Sequence, residues 1–466
     1  MSTRQPAGTA PNAAASDRTG QLAALRAALP ADVLVTDPAA LEAMRADKSG
    51  HMAPAAPLAI VEATDVAHVQ EALRWASEHG VPVVPRGAGT GLAGGAIAGG
   101  GELVVSTDRM RRLVSVSLVD QSCVVEPGIR NADLNDQLAE HGLWWPPDPA
   151  SRAISTVGGN IATNAGGLLC AKYGVTREWV LALDVVLADG SRISTGHRTV
   201  KGVTGLDVTA LLIGSEGTLG IVVGATLKLR PTVDGPVWTV GAFFDDETTA
   251  AAACTAVTAA RIRPAIMELV GRDAVTMLAE YTGRPMEGAF VLVQTDDLGA
   301  EAVSASVAEI LAAHGGRVER TDDVTESDAL VQVRRQVHFA LESFGTVLVE
   351  DIAVPRSRLA EMFTACHAAA ERHGVRLAVT AHAGDGNLHP TFVFDSAEPS
   401  EAVWACADEV FTAGLALGGT LTGEHGVGVL KRRWLRQELG ERQLELQRAV
   451  KAAFDPAGIL NPGKAV

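Results

Sequence analysis

The sequence predicts an α+β protein of two domains: an opening α/β domain, then a second one built on an antiparallel sheet covered by helices. Three observations carry this expectation. A strand–helix–strand pattern opens the folded part, three glycine-rich clusters fall within its first half, and from Val237 the texture changes to strand-like runs alternating with Ala-rich helical stretches. At roughly 150 residues per domain, 466 residues make two large units or three smaller ones. Hydrophobic residues are 47% and charged residues 20%, which excludes a mainly unfolded chain.

Taken in order, Met1 to Gly20 is rich in Ala, Thr and Ser with no apolar signal core, and residues 1–20 are expected to form a disordered tail. Leu58 to Ala63 then reads as a buried strand. Val66, Val69, Leu73 and Ala76 recur at helical spacing until Gly80 closes the helix, and Val81 to Val84 is a second strand. Further strands are expected at Glu102 to Ser106, Ser122 to Glu126, Leu183 to Ala188 and Gly220 to Leu229, with a turn at Asp189-Gly190. The first domain spans residues 21–232 and the second 233–454. In the second, strands are expected at Val237 to Phe244, Ala289 to Gln294, Thr346 to Ala353 and Arg376 to Ala381, forming a sheet covered on one face. The chain closes in turn formers, Phe454 to Gly463, rather than in a helix.

Charge and cysteine usage narrow the function. Lys and Arg number 39 against 55 Asp and Glu, a net charge of −16, which argues against binding to nucleic-acid phosphates. Cys123, Cys170, Cys254, Cys366 and Cys406 stand apart with no C-x-x-C pair, so neither a disulfide framework nor a thiolate metal cluster is indicated. No run reaches the 18 or so apolar residues that a membrane span needs. These features fit a cytoplasmic protein, or one at the periphery of the membrane, but not an integral one.

The excess of 48 glycines is concentrated where a large phosphate-bearing ligand would use it. Pro85 to Gly95 follows a strand, and its glycines let successive backbone N–H groups point into one concavity, which suits a pyrophosphate. Gly89 to Gly94 satisfies G-x-G-x-x-G, with Asp108 near the place of a ribose-binding acid. A nicotinamide-binding reading therefore stands beside it, although Gly99-Gly-Gly101 and the next strand leave no room for the helix that such a motif opens. Val157 to Gly167 adds small residues and amides able to meet a heterocycle edge, after the rigid Pro146-Pro-Asp-Pro149, and Gly214 to Gly220 opens a further strand.

His382-Ala-Gly-Asp-Gly-Asn-Leu-His389 predicts a two-residue hairpin turn at Asp385-Gly386, which would set His382 opposite His389. Directly opposed Cβ atoms lie about 4.5–5.5 Å apart, so both imidazoles could reach one divalent ion. Glu424, in the glycine-rich loop Leu421 to Gly428, is the candidate third ligand. Without the ion the two histidines would serve as hydrogen-bonding groups. His425, with an ordinary pKa near 6.5, can accept a hydroxyl proton in its neutral form and is the candidate general base.

Pro85 to Gly95, Pro146 to Gly167, Gly214 to Ile221, His382 to Pro390 and Glu424 to Gly428 together resemble, in order over residues 55 to 466, the FAD-linked D-2-hydroxyacid dehydrogenases of the vanillyl-alcohol-oxidase-type fold. D-lactate dehydrogenases, the flavin subunit of glycolate oxidase and D-2-hydroxyglutarate dehydrogenase are members. The resemblance implies a two-part FAD-binding domain, to which residues 455–466 return, and a substrate-binding cap. It assigns FAD to Arg86, Gly87, Gly89, Thr90, Gly91, Gly158, Asn160, Asn164, Gly167, Gly217 and Ile221. Pro85 to Ala96 contains no histidine of the kind that some relatives use for covalent attachment, so non-covalent FAD is expected. It further implies a divalent metal, most commonly zinc, at His382, His389 and Glu424, and a substrate carboxylate on Arg334, with Arg335 as its neighbouring alternative. Val349 and Thr391 stand where dicarboxylate-specific relatives are polar or basic. The implied activity is oxidation of a small 2-hydroxy acid, D-lactate or glycolate, with D-2-hydroxyglutarate as the alternative substrate, by hydride transfer to flavin N5, with reoxidation by an acceptor protein, a quinone or oxygen. A non-catalytic flavin electron carrier is the reading from another class.

Overall fold

A computed structural model describes residues 22–232 and 235–465. The expected tail, residues 1–20, lies outside them. The opening βαβ unit forms as the spacing predicts: strand Ala59–Glu62, helix Val66–His79, strand Val83–Arg86. Asp65 caps the helix by accepting the N–H of Ala67, and Gly80 ends it in the left-handed conformation at φ 61°. Leu103–Ser106 pairs parallel to both strands from between them, and Leu34–Val35 adds an antiparallel edge. A second, antiparallel sheet of five strands follows in the order Leu113–Ser117, Ser122–Val125, Ile221–Lys228, Val180–Val186, Arg192–Gly196.

The C-terminal segment joins the first of these sheets. Val83 N–H donates to Ile459 O at 2.7 Å, and Asn461 N–H returns to Val83 O at 2.7 Å. Turn formers there make physical sense, because the segment must reverse out of helix Leu435–Phe454 to reach that strand.

The second half is built on one eight-stranded sheet, ordered Arg317–Thr321, Trp238–Phe244, Ala289–Thr295, Ile266–Val270, Arg376–His382, Asn387–Phe394, Thr346–Val349, with Ile352–Ala353 also paired to Asn387–Phe394. Helices cover both of its faces, not one. Cys254, Val257, Met362, Phe363 and Phe411 pack with Val240, Leu269 and Val291 on one side. Leu278, Leu330, Val331 and Leu341 pack with Val270, Phe290 and Leu292 on the other. The unbroken apolar run Ala289-Phe-Val-Leu-Val293 is the corresponding signal, since a strand with one wet face would alternate. The expected strand Thr346 to Ala353 is two strands, interrupted by the buried acids Glu350 and Asp351. Among the described residues no helix is long and apolar enough to cross a membrane.

Candidate active site

A cavity of about 1010 Å³ lies between the glycine loops and the eight-stranded sheet, at the top of the volumes usual for small-molecule sites (roughly 300–1,000 Å³). Arg86, Gly87, Gly89, Thr90, Gly91, Gly158, Asn160, Gly217 and Ile221 line it, and so do Val349, Glu424 and His425 from the other half of the chain. Among the described residues, the backbone N–H groups from Ala88 to Gly95 donate to no protein acceptor, which leaves a row of donors open to an anionic ligand. A Cβ on Gly91 would meet only Asp47, at 3.8 Å, so the backbone there is bare. These donors and this bare backbone fit the pyrophosphate of FAD. No helix opens within Gly89–Gly94; the chain runs on through turns to strand Leu103–Ser106, which removes the geometry of a nicotinamide fingerprint.

Not every assigned residue faces the cavity. Arg86 does line it, but turns its guanidinium onto backbone carbonyls, Ala96 O at 2.5 Å and Ala46 O at 2.9 Å, and so fixes the loop's shape. Asn164 and Gly167 are not among the lining residues. Asn164 ends helix Val157–Thr163 at φ 53° and accepts the N–H of Arg177, whereas Gly167 lies so close to Asp148 that a Cβ would sit 2.4 Å from its carbonyl oxygen. A residue missed in the sequence ties the halves together: buried Glu216, at φ 51°, accepts the N–H groups of Val427 at 2.7 Å and Gly428 at 2.8 Å.

The hairpin register differs from the two-residue turn expected at Asp385-Gly386. His382 pairs with Asn387, and His389 with Thr380. The loop is four residues, Ala383 to Gly386, closed by Gly386 N–H to His382 O at 3.0 Å, with Gly386 at φ 90°. The slip is by two residues on one strand, and an even slip preserves the face on which a side chain lies. His382 and His389 are therefore diagonal neighbours on one face, with ring centroids 5.0 Å apart.

Glu424 Oε1 approaches both rings, 3.4 Å from His382 Nε2 and 3.2 Å from His389 Nε2, and the ligand atoms of the three residues all lie within 4.8 Å of one another. His425 stacks on His389 at 5.0 Å and 14°, with its Nε2 3.7 Å from the same Glu424 oxygen. Burial opposes charge on Glu424, His382 and His425. On Glu424 the bonds from His382 and His389 outweigh it and hold the carboxyl well below its usual range. On His382, Glu268 and Glu424 likewise outweigh burial and raise the imidazole well above 6.5. The cluster thus favours a positive charge between its carboxylates, and two imidazoles with one carboxylate are a donor set suited to zinc. His425 differs: burial pushes it down to about 4, although Asp351 opposes, so it is neutral across the physiological range.

Two carboxylates that the sequence reading missed surround this cluster. Glu268, fully buried on Ile266–Val270, accepts His382 Nδ1 at 2.7 Å and Arg334 Nε at 2.8 Å. Asp351, also fully buried, accepts the N–H groups of Gly423, Glu424 and His425 at 2.9–3.1 Å, together with Thr422 Oγ1 and Asn387 Nδ2 at 2.5 Å. The signal was acid inside an apolar run, a lone one in Ala265-Ile-Met-Glu268-Leu-Val270 and an adjacent pair in Val347-Leu-Val-Glu-Asp351-Ile-Ala353. Arg334 stands behind the cluster on its Glu268 bond and is not among the cavity's lining residues; Arg335 is exposed. Val349 lies opposite Thr391, in the same row as Ala378.

Comparison with known proteins identifies the family. Residues 57–196 match the family described as "FAD binding domain", and residues 236–465 that described as "FAD linked oxidases, C-terminal domain". The chain is 38% identical to a glycolate oxidase subunit GlcD of Bacillus subtilis, over 88% of each chain. It is 35% identical to a D-lactate dehydrogenase of Archaeoglobus fulgidus, over 87% of this chain and 91% of the other. A D-2-hydroxyglutarate dehydrogenase of Stutzerimonas stutzeri is 33% identical over 92% and 95%. Among solved structures, p-cresol methylhydroxylase with substrate bound superposes with a TM-score of 0.79 over 97% of each chain, at 17% identity, a likeness of fold.

Proposed function

Because the chain belongs to the FAD-linked oxidases and is an oxidoreductase of the 2-hydroxyacid-oxidising kind with the vanillyl-alcohol-oxidase-type fold, we propose that its substrate is a small 2-hydroxy monocarboxylate, D-lactate or glycolate, converted to the 2-oxo acid. The observation that carries this reading is the meeting of Glu424 and His425 with the glycine loops across one cavity. Held there without a covalent link, FAD supplies the hydride acceptor. A zinc ion at His382, His389 and Glu424 would supply a Lewis acid toward the substrate hydroxyl.

The remaining work falls to side chains. Neutral His425 accepts the hydroxyl proton at Nε2, and its stacking on His389 keeps that ring beside the cluster. Arg334 is the arm for the substrate carboxylate: it stands behind the cluster rather than on the cavity wall, with Glu268 engaging its Nε, and its two Nη groups would turn toward the cavity as a donor pair of the right spacing for a carboxylate. Val349, the member of the row Val349, Thr391 and Ala378 that lines the cavity, offers no cation, so a second carboxylate placed against it would be desolvated without a partner, at a cost of several kcal/mol. Hence kcat/KM for D-lactate or glycolate, measured with a dye acceptor, should exceed that for D-2-hydroxyglutarate. The reverse order would overturn the substrate assignment.

A further inference from the structure

Two imidazoles meet Glu424, but they are held differently. The Nδ1 of His389 is buried with no partner among the described residues. The Nδ1 of His382 is bound by Glu268 at 2.7 Å, in a register where Glu268 lies directly across the ladder on the neighbouring strand. Glu268 is in turn held by Arg334 Nε at 2.8 Å, so its two oxygens have separate partners and its carboxylate has little freedom to turn. Bonding at Nδ1 fixes the tautomer of a neutral imidazole: the proton sits on Nδ1 and the lone pair on Nε2, which is the nitrogen facing Glu424 at 3.4 Å.

We infer that Glu268 is the positioning residue of the metal centre: it sets His382 as an Nε2 donor and, through Arg334, joins that donor to the arm assigned to the substrate carboxylate. This rests on the metal reading above. A carboxylate behind a ligating histidine orients the ring and raises its basicity, and loss of such a partner weakens metal binding by about 10–100-fold. Of the three candidate ligands Glu268 touches His382, so an effect carried by that contact is specific to that ligand.

The test uses the FAD-loaded protein. Zinc affinity is read by competition with a chromophoric chelator in wild type, Glu268→Gln and Glu268→Asp, with flavin content and melting temperature on the same samples. Both variants are expected to bind zinc about 10–100-fold more weakly while retaining FAD, Asp because it withdraws the oxygen by one methylene and Gln because it loses the charge. Should Glu268→Gln fail to fold, Glu268→Asp carries the test, since it keeps the charge beside Arg334. In a His382→Ala background, adding Glu268→Asp should change zinc affinity no further. Wild-type affinity in the variants, or an equal loss with and without His382, would overturn the inference. A wild type that binds no zinc would instead overturn the metal reading beneath it.

Discussion

At the scale of the residue, the histidine that follows Glu424 and the acid beneath it make separate demands. His425→Ala should keep its metal and FAD but reduce flavin about 10²–10⁴-fold more slowly, measured by stopped flow, because general-base catalysis has that worth. Burial lowers His425 to about 4, and only its neutral form can accept a proton. The acid limb of kcat/KM should therefore fall near pH 4 rather than near 6.5; a limb at 6.5 that vanishes in the variant would show the imidazole to be better solvated than its surroundings allow. Asp351 acts on backbone. Burial raises its carboxyl, but Lys431 foremost, with the Thr422 hydroxyl bond, outweighs that and holds it well below the usual range. Its folded pKa is thus depressed, so its contribution to stability is complete above the unfolded value near 3.9 and is lost as pH falls below it. Asp351→Asn should cost about 1–3 kcal/mol for each buried donor left unmatched, read by denaturant unfolding at neutral pH, and should flatten the acid limb of stability.

At the scale of the element, much was legible. Helix Val66–His79, capped by Asp65 and Gly80, and the strands around it followed from local spacing, because their signals lie within a few residues. The histidine pair was legible as one face but not as a register: D-G favoured a tight turn, whereas tertiary packing selected a four-residue loop in which a Cβ on Gly384 would lie 2.4 Å from Ala171. Strands Ile266–Val270 and Arg317–Thr321 went unseen, the first because its buried glutamate broke the apolar run, the second because alternate charged residues reach solvent. Glu268 and Asp351 belong to this class, since their meaning lies in partners more than 60 residues away in sequence, 114 for His382 and 72 for Gly423. Gly386 tests the loop. It sits at φ 90°, where a Cβ would come within 2.2 Å of Val354 O. Gly386→Ala should therefore lower stability by about 1–3 kcal/mol or more and displace His382, seen as a lower melting temperature with weakened metal retention.

At the scale of the whole molecule, the chemistry is divided: the glycine loops of one half supply backbone donors, and the sheet of the other supplies imidazoles and carboxylates. Glu216 and the C-terminal segment hold the two together, Asn461 Nδ2 donating to Glu216 O at 2.7 Å and to Gly95 O at 3.1 Å. With no histidine in Pro85 to Ala96, acid precipitation should release the flavin into the supernatant; colour kept in the pellet would show a covalent link. The central claim joins both halves in one reaction, and anaerobic mixing of the FAD-loaded protein with a panel of 2-hydroxy acids tests it most directly. D-lactate or glycolate should bleach the flavin absorbance, with one equivalent of 2-oxo acid formed per flavin. A flavin that stays oxidised with every 2-hydroxy acid offered would contradict the claim and leave a flavin-binding protein of another kind.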